Sequence, residues 1–203
     1  MARSRDWSQL ILYKLKSEAY RAYNGKTVKQ IAEELKRDPI DTYDIIVAED
    51  DNVPFMGLFG LEDDIRVLMR HEAVMIGSDG TSERGGLTSP VHPRNFGTFP
   101  RVLQRYVGED ALSLPEAVHK MTGAPAWRLG LPDRGIIRAG AVADVVIFNL
   151  HLVRDGYTIT EPPKFPEGIP YVIVNGVVTV DDSRHTGARA GKMIHNPRDP
   201  LSM

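Results

Sequence analysis

The sequence predicts an α/β protein: alternating strand and helix units, followed by a small β module. Three observations carry this reading. Apolar runs of strand length alternate with segments of helical spacing through the first part of the chain. Beyond about Leu129 the texture shifts to glycine-punctuated turns between short apolar runs. Within that second part, Asn175-Gly176 separates two apolar runs, the pattern of a two-residue type I′ hairpin. The expected division is 1–128 for the α/β part and 129–203 for the β module with its tail.

The elements follow in order. Residues 10–15 are apolar and β-compatible, a first strand. Gly25-Lys26-Thr27 precedes Val28, Ile31, Ala32 and Leu35 at helical spacing; Thr27 suits the N-cap and Asp38-Pro39 ends the helix. A second helix is expected over 40–48, with Tyr43, Ile46 and Val47 on one face, broken by Asp50-Asp51-Asn52, where Asp50 and Asp51 read as a solvated helix end. Residues 53–59 read as a strand. Residues 61–70 read as a helix with Leu61, Ile65, Leu68 and Met69 on one side, and 73–77 as a strand. That order implies parallel βα units. Residues 80–98, rich in Gly, Pro, Ser and Thr, form a long loop of the kind that is usually functional or disordered. A helix is expected over 99–107. Another starts at Ser113, which forms a capping-box pattern with Glu116 ahead of Leu114, Ala117, Val118 and Met121. Gly135 and Gly140 mark turns around short strands, 144–149 is a strand, and 171–180 is the hairpin. The tail after Thr186 is expected to drape the surface.

Composition excludes several classes. Of 203 residues, 42% are apolar and 26% charged, as in ordinary globular proteins, and the net charge of -2 leaves no nucleic-acid footprint. No apolar run approaches the ~20 residues of a membrane span. The first residues lack a signal-peptide apolar region, so the cytoplasm is the expected compartment. With no cysteine, disulfides and thiolate metal sites are excluded, and a metal would need His, Asp, Glu or water. The six histidines, at 71, 92, 119, 151, 185 and 195, form neither His-x-His nor His-x-x-x-His. His71, His119, His151, His185 and His195 read as ordinary surface or core residues.

The chemistry-bearing motif is the apolar run Val74-Met75-Ile76 ending in Gly77-Ser78-Asp79-Gly80. In a barrel of parallel strands, catalytic groups sit at the C-terminal strand ends. A carboxylate there can ligate a metal or take a proton from metal-bound water. On the motif alone, the simpler reading is an aspartate that caps the turn that follows. His92-Pro93-Arg94 comes next. A guanidinium on a loop beside such a strand end suits two-point binding of a carboxylate, or alternatively pairs with a structural acid. Arg101 lies in the helix that follows and reads as structural. The block from Met121 to Phe148, with Asp133-Arg134-Gly135 and Ala143-Asp144, also reads as structural, Asp144 satisfying backbone amides at a strand start.

That last block resembles the C-terminal signature of the amidohydrolase superfamily. Within it, nearly the whole chain is similar to the D-aminoacylase, or N-acyl-D-amino-acid deacylase, family. The matching features are Gly25-Lys26-Thr27 with Ile31-Ala32, Met75-Ile76-Gly77-Ser78-Asp79-Gly80, His92-Pro93-Arg94, Gly97-Thr98-Phe99-Pro100-Arg101, the hairpin around Gly176, and His185-Thr186-Gly187. The resemblance implies the C-terminal βα units of a metal-dependent (β/α)8 barrel followed by part of a β-sandwich. It implies a zinc ion whose water attacks the N-acyl carbonyl, with Asp79 as general base and then acid, and as a candidate metal ligand. Arg94 suits the α-carboxylate of an N-acyl-D-amino acid, and His92 and Ser78 join it as substrate-binding candidates. The products would be a carboxylate and a D-amino acid.

The family's zinc ligands comprise a His-x-His motif, a cysteine and two later histidines, all upstream of the matched region. The expectation is therefore a C-terminal portion: a fragment, a split-gene half or a truncated reading frame. Alone, it would bind zinc weakly or not at all and be inactive. It would self-associate or pair with a separate N-terminal half. Two other readings compete: a non-catalytic remnant serving as a binding or assembly module, and a small self-contained hydrolase whose metal is held by Asp79, His92 and another histidine. Neither membrane nor nucleic acid is an expected partner.

Overall fold

A computed structural model describes residues 6–50, 53, 55–57, 61–81, 92–156 and 164–194. The chain divides into two compact units. The first comprises Met1–Leu61, Gly80–Asn95 and Tyr157–Lys164; the second comprises Glu62–Asp79, Phe96–Gly156 and Phe165–Met203.

In the first unit, strand β1 (Leu10–Leu12) pairs antiparallel with β2 (Phe55–Gly57). Residues 25–26 lie along β1 as well: Leu12 donates its amide to the Lys26 carbonyl at 3.1 Å, and Gly25 donates to the Leu12 carbonyl at 2.8 Å. All three residues of β1 are buried. Helix α1 (Val28–Leu35) begins with the expected cap: Thr27 Oγ1 accepts from the Gln30 amide at 3.1 Å, and Gln30 Oε1 accepts from the Thr27 amide at 2.9 Å. It ends at Lys36, in the left-handed conformation, ahead of Asp38-Pro39. Asp38 instead caps α2 (Pro39–Glu49), accepting from the Ile40 amide at 2.8 Å, with Pro39 in the first turn where its missing N–H costs nothing. Thr42 and Ile46, four residues apart, are the buried residues of α2, and Val47 is rotated into solvent rather than inward. The core gathers Leu10, Leu12, Leu15, Tyr20, Val28, Ile31 and Ile46.

Two expectations fail in this unit. The strands run antiparallel, because alternation of elements does not fix strand direction. Asp50 is not a solvated helix end: it is only 4% exposed, and its carboxylate accepts the amides of Lys16 at 2.7 Å and Ser17 at 2.9 Å. Those amides follow β1 and would otherwise lack partners.

The second unit contains α3 (Glu62–Arg70), α5 (Leu114–Met121), α6 (Gly123–Leu129) and a four-stranded sheet. Ile65 and Met69 of α3 pack on the core, whereas Leu61 and Leu68, expected on the same side, are exposed. Glu62 is engaged with Arg66 at 3.5 Å and Arg105 at 3.4 Å, and Asp63 and Asp64 face water. Helix α4 (Arg94–Arg101) starts earlier than the sequence reading placed it, and its first two residues count with the first unit. Pro100 lies near its end and cannot donate a helical hydrogen bond; the chain then widens into a π-helical stretch, Val102–Val107, burying Val102, Leu103 and Tyr106. Ser113 forms the expected capping box with Glu116 at the start of α5. Helix α6, absent from the sequence reading, begins at Gly123 and ends at Gly130 in the left-handed region. The core here joins Val102, Tyr106, Ala111, Leu112 and Ala117.

The sheet is antiparallel: β3 (Val145–Ile147), β4 (Tyr171–Val174), β5 (Val177–Asp181) and β6 (Arg184–His185). Asn175 (φ 48°) and Gly176 (φ 80°) form the turn between β4 and β5, both with positive φ as a type I′ turn requires. No ladder strand forms at 136–137. After Thr186 the described tail is without regular structure, and its Ala190 carbonyl accepts from Asn175 Nδ2 at 2.6 Å. Among the described residues, no helix is long and apolar enough to cross a membrane.

Candidate functional site

Asp79 stands at the end of the segment 74–79 in the second unit. The segment has no regular secondary structure and belongs to no sheet among the described residues, so the strand expected at 73–77 is not formed as a ladder. Helix α5 holds it instead. Lys120, 5% exposed, donates from Nζ to the carbonyls of His71 at 2.6 Å and Val74 at 3.0 Å. Its own carbonyl accepts the amide of Ile76 at 3.0 Å. Ile76 packs against the core, Ser78 is half-buried, and Asp79 is exposed with φ 50°, in the left-handed region. Aspartate tolerates that conformation better than most residues, and residues held there are enriched at functional sites.

An apolar cleft of about 360 Å³ runs beside the segment, lined by Ile65, Met69, Ile76, Gly77, Val102 and Tyr106, among others. Burial pushes the Tyr106 phenol above its ordinary pKa, and the nearby Glu62 carboxylate adds to this. Arg101 also reaches the cleft. It pairs with Asp155 at 3.1 Å, in keeping with the structural role read from the sequence.

His92 and Arg94 belong to the first unit. His92 Nδ1 accepts the amide of Arg94 at 3.2 Å, satisfying a donor at the start of α4. Asn95, which the sequence reading did not single out, accepts the Thr81 amide through Oδ1 at 3.0 Å within the same unit. The intervening residues 82–91 of the expected long loop lie outside the described residues, as does His195. His71 and His185 each accept a neighbouring amide through Nδ1, at 3.2 Å from Ala73 and 2.9 Å from Gly187. Among the described residues, no three His, Cys, Asp or Glu side chains converge to hold a metal ion.

The fold and its signature block define a class. The sequence profile of the amidohydrolase family matches residues 24–180, and the chain belongs to that family. Its relatives narrow the likeness. The chain is 45% identical over 116 residues to the N-acyl-D-glutamate deacylase of Alcaligenes xylosoxydans xylosoxydans, covering 57% of this chain and 23% of the relative. It is 40% identical over 134 residues to the D-aminoacylase of the same organism, covering 66% and 27%. Among solved structures, a D-aminoacylase studied for its binuclear metal centre superposes with a TM-score of 0.73 at 33% identity, over 90% of this chain and 36% of that one. The N-acyl-D-glutamate deacylase of Bordetella bronchiseptica, complexed with zinc and a phosphonate mimic of the tetrahedral intermediate, gives 0.72 at 30% identity, over 89% and 37%. The chain thus spans about a quarter of the length of these curated relatives.

Proposed function

We propose that this chain is the C-terminal portion of a cytoplasmic zinc-dependent N-acyl-D-amino-acid deacylase, with residues 1–128 contributing barrel units and 129–203 a β module. The observation that carries the reading is Asp79: an exposed carboxylate in the left-handed region, at the end of a segment fixed by α5, in a chain 45% and 40% identical over 116 and 134 residues to an N-acyl-D-glutamate deacylase and a D-aminoacylase. Asp79 accepts a proton from the water that attacks the N-acyl carbonyl. It then returns the proton to the departing amine, so the C–N bond breaks without expelling an amide anion. Arg94 offers a planar two-point donor to the substrate α-carboxylate, with His92 and Ser78 beside the substrate. Asp79 is also a candidate ligand to the zinc ion, whose remaining ligands would be supplied from outside the described residues.

The test is a chimaera in which residues 24–180 replace the matching part of the Alcaligenes D-aminoacylase. It should hydrolyse N-acetyl-D-amino acids in preference to their L-enantiomers. A folded, metal-loaded chimaera with no deacylase activity supports the competing reading of a non-catalytic assembly module.

A further inference from the structure

We infer that Lys120 is a positioning residue for Asp79: a buried ammonium that holds the segment ahead of the carboxylate against α5. The inference rests on the reading of Asp79 as the proton carrier. Lysine is almost never fully buried unless its charge is satisfied, and Lys120 is 5% exposed. Its partners are unusual for a core lysine. They are no carboxylates but two main-chain carbonyls, those of His71 at 2.6 Å and Val74 at 3.0 Å. The same residue accepts the Ile76 amide through its own carbonyl at 3.0 Å. One residue therefore grips the backbone at three points between 71 and 76, just ahead of Ser78 and Asp79.

Those bonds do for this segment what a sheet ladder does for a strand, and among the described residues no ladder reaches it. The other end of the grip is itself fixed. Helix α5 starts from the Ser113–Glu116 capping box and buries Ala117 completely in the core. Filling the space alone would favour an apolar residue, because burying an ammonium is costly. An ammonium adds directed donors that set where the two carbonyls, and hence the chain leading to Asp79, must lie. A displacement of about 1 Å at a reacting group can cost on the order of 100-fold in rate, which gives such a grip a catalytic consequence.

The experiment uses the full chain labelled with ¹⁵N. In the wild type, the Lys120 ammonium should give a slowly exchanging resonance with proximity to His71 and Val74; its absence overturns the inference. Lys120→Met should move the amide signals of Ile76, Gly77, Ser78 and Asp79 and speed exchange at Ile76 about tenfold or more, leaving α1 amides unchanged. Lys120→Arg, which keeps charge and donors, should restore most of the signals. A Lys120→Met protein that melts lower while the 76–79 signals stay in place would show a packing role only, and overturns the inference. In the active chimaera, Lys120→Met should lower kcat about 10- to 100-fold with KM little changed; an equal rise in KM overturns it. The resonance measurements do not depend on Asp79 being catalytic. An Asp79→Asn chimaera that stays active overturns the proton-carrier role separately.

Discussion

The carboxylate of Asp144 accepts the backbone amide of Asn175 at 2.8 Å through Oδ1 and pairs with Arg134 through Oδ2. Arg134 in turn donates to Asn175 Oδ1 at 3.2 Å, and the Gly176 amide donates to the Ala143 carbonyl at 2.9 Å. The residues before β3 are thus bonded to the tip of the β4–β5 hairpin. Asp144→Ala leaves a guanidinium and an amide without their acceptor. The second unit should lose about 1–3 kcal/mol, the range for hydrogen bonds to charged groups and their orphaned partners. Asp144→Asn keeps one acceptor and should lose less. Hydrogen exchange at the β4 and β5 amides measures both; equal, negligible losses would contradict the network's role.

Glycine positions separate two costs. Gly168 has φ +76°, and a Cβ there would meet the Leu152 carbonyl carbon and the Val153 nitrogen at 2.5 Å. Gly176 has φ +80° with nothing within 4 Å of such a Cβ. Gly168→Ala should destabilise by on the order of 2–4 kcal/mol, combining backbone strain and steric overlap. Gly176→Ala should cost about 1–2 kcal/mol, from strain alone. Denaturation midpoints that rank the two the other way would contradict this.

A pH dependence follows from the cap of α5. The Ser113 hydroxyl, then the Ser113 amide, hold the Glu116 carboxyl below its ordinary pKa of 4.5. A carboxyl depressed on folding contributes stability that is fully present above the unfolded value and is lost as pH falls through the folded one. The melting-temperature gap between wild type and Ser113→Ala should therefore be constant near neutrality and shrink below about pH 4.5. A gap that widened on acidification would contradict the assignment.

Much of this was legible in the sequence, and the legible parts share a cause. Thr27 as an N-cap, Ser113 with Glu116, and Asn175-Gly176 act on backbone groups through local geometry, which residue type and short spacing reveal. What was missed depends on distant chain segments. Asp50 reaches the amides of Lys16 and Ser17, and Lys120 reaches the carbonyls of His71 and Val74. A charged residue in either place reads from sequence as solvated. The start of α4 was hidden because Gly97 is a loop-forming residue elsewhere. Gly97 is buried here, and a Cβ at that position would lie 3.5 Å from Cβ of Asp155. Asp79 was singled out by its motif as a candidate, but its left-handed backbone and the hold of α5 on the segment before it were not legible.

Large apolar side chains face solvent in the second unit, among them Trp127 at 81% and Ile137 at 90% exposure, with Leu129 and Ile136. Exposed apolar surface favours association. The purified chain should self-associate at low micromolar concentration, or be converted to a defined complex by a polypeptide carrying the rest of an amidohydrolase barrel. Light scattering that finds a monodisperse monomer unaffected by such a polypeptide would contradict this.

Arg94→Lys in the active chimaera should raise KM for N-acyl-D-amino acids more than for the corresponding amides, which lack the α-carboxylate. Lysine keeps the charge but loses the planar fork. Equal effects on both substrates would remove Arg94 from carboxylate recognition.

The most direct measurement is the kcat of Asp79→Asn in the deacylase chimaera, alongside its melting temperature and metal content. Asparagine preserves shape but cannot take a proton from water. The account predicts a fall in kcat of about 10²- to 10⁴-fold, the usual contribution of general acid–base catalysis, with folding and metal content unchanged. A variant that retained most of its kcat would contradict the assignment of Asp79 as the proton carrier, and with it the central claim.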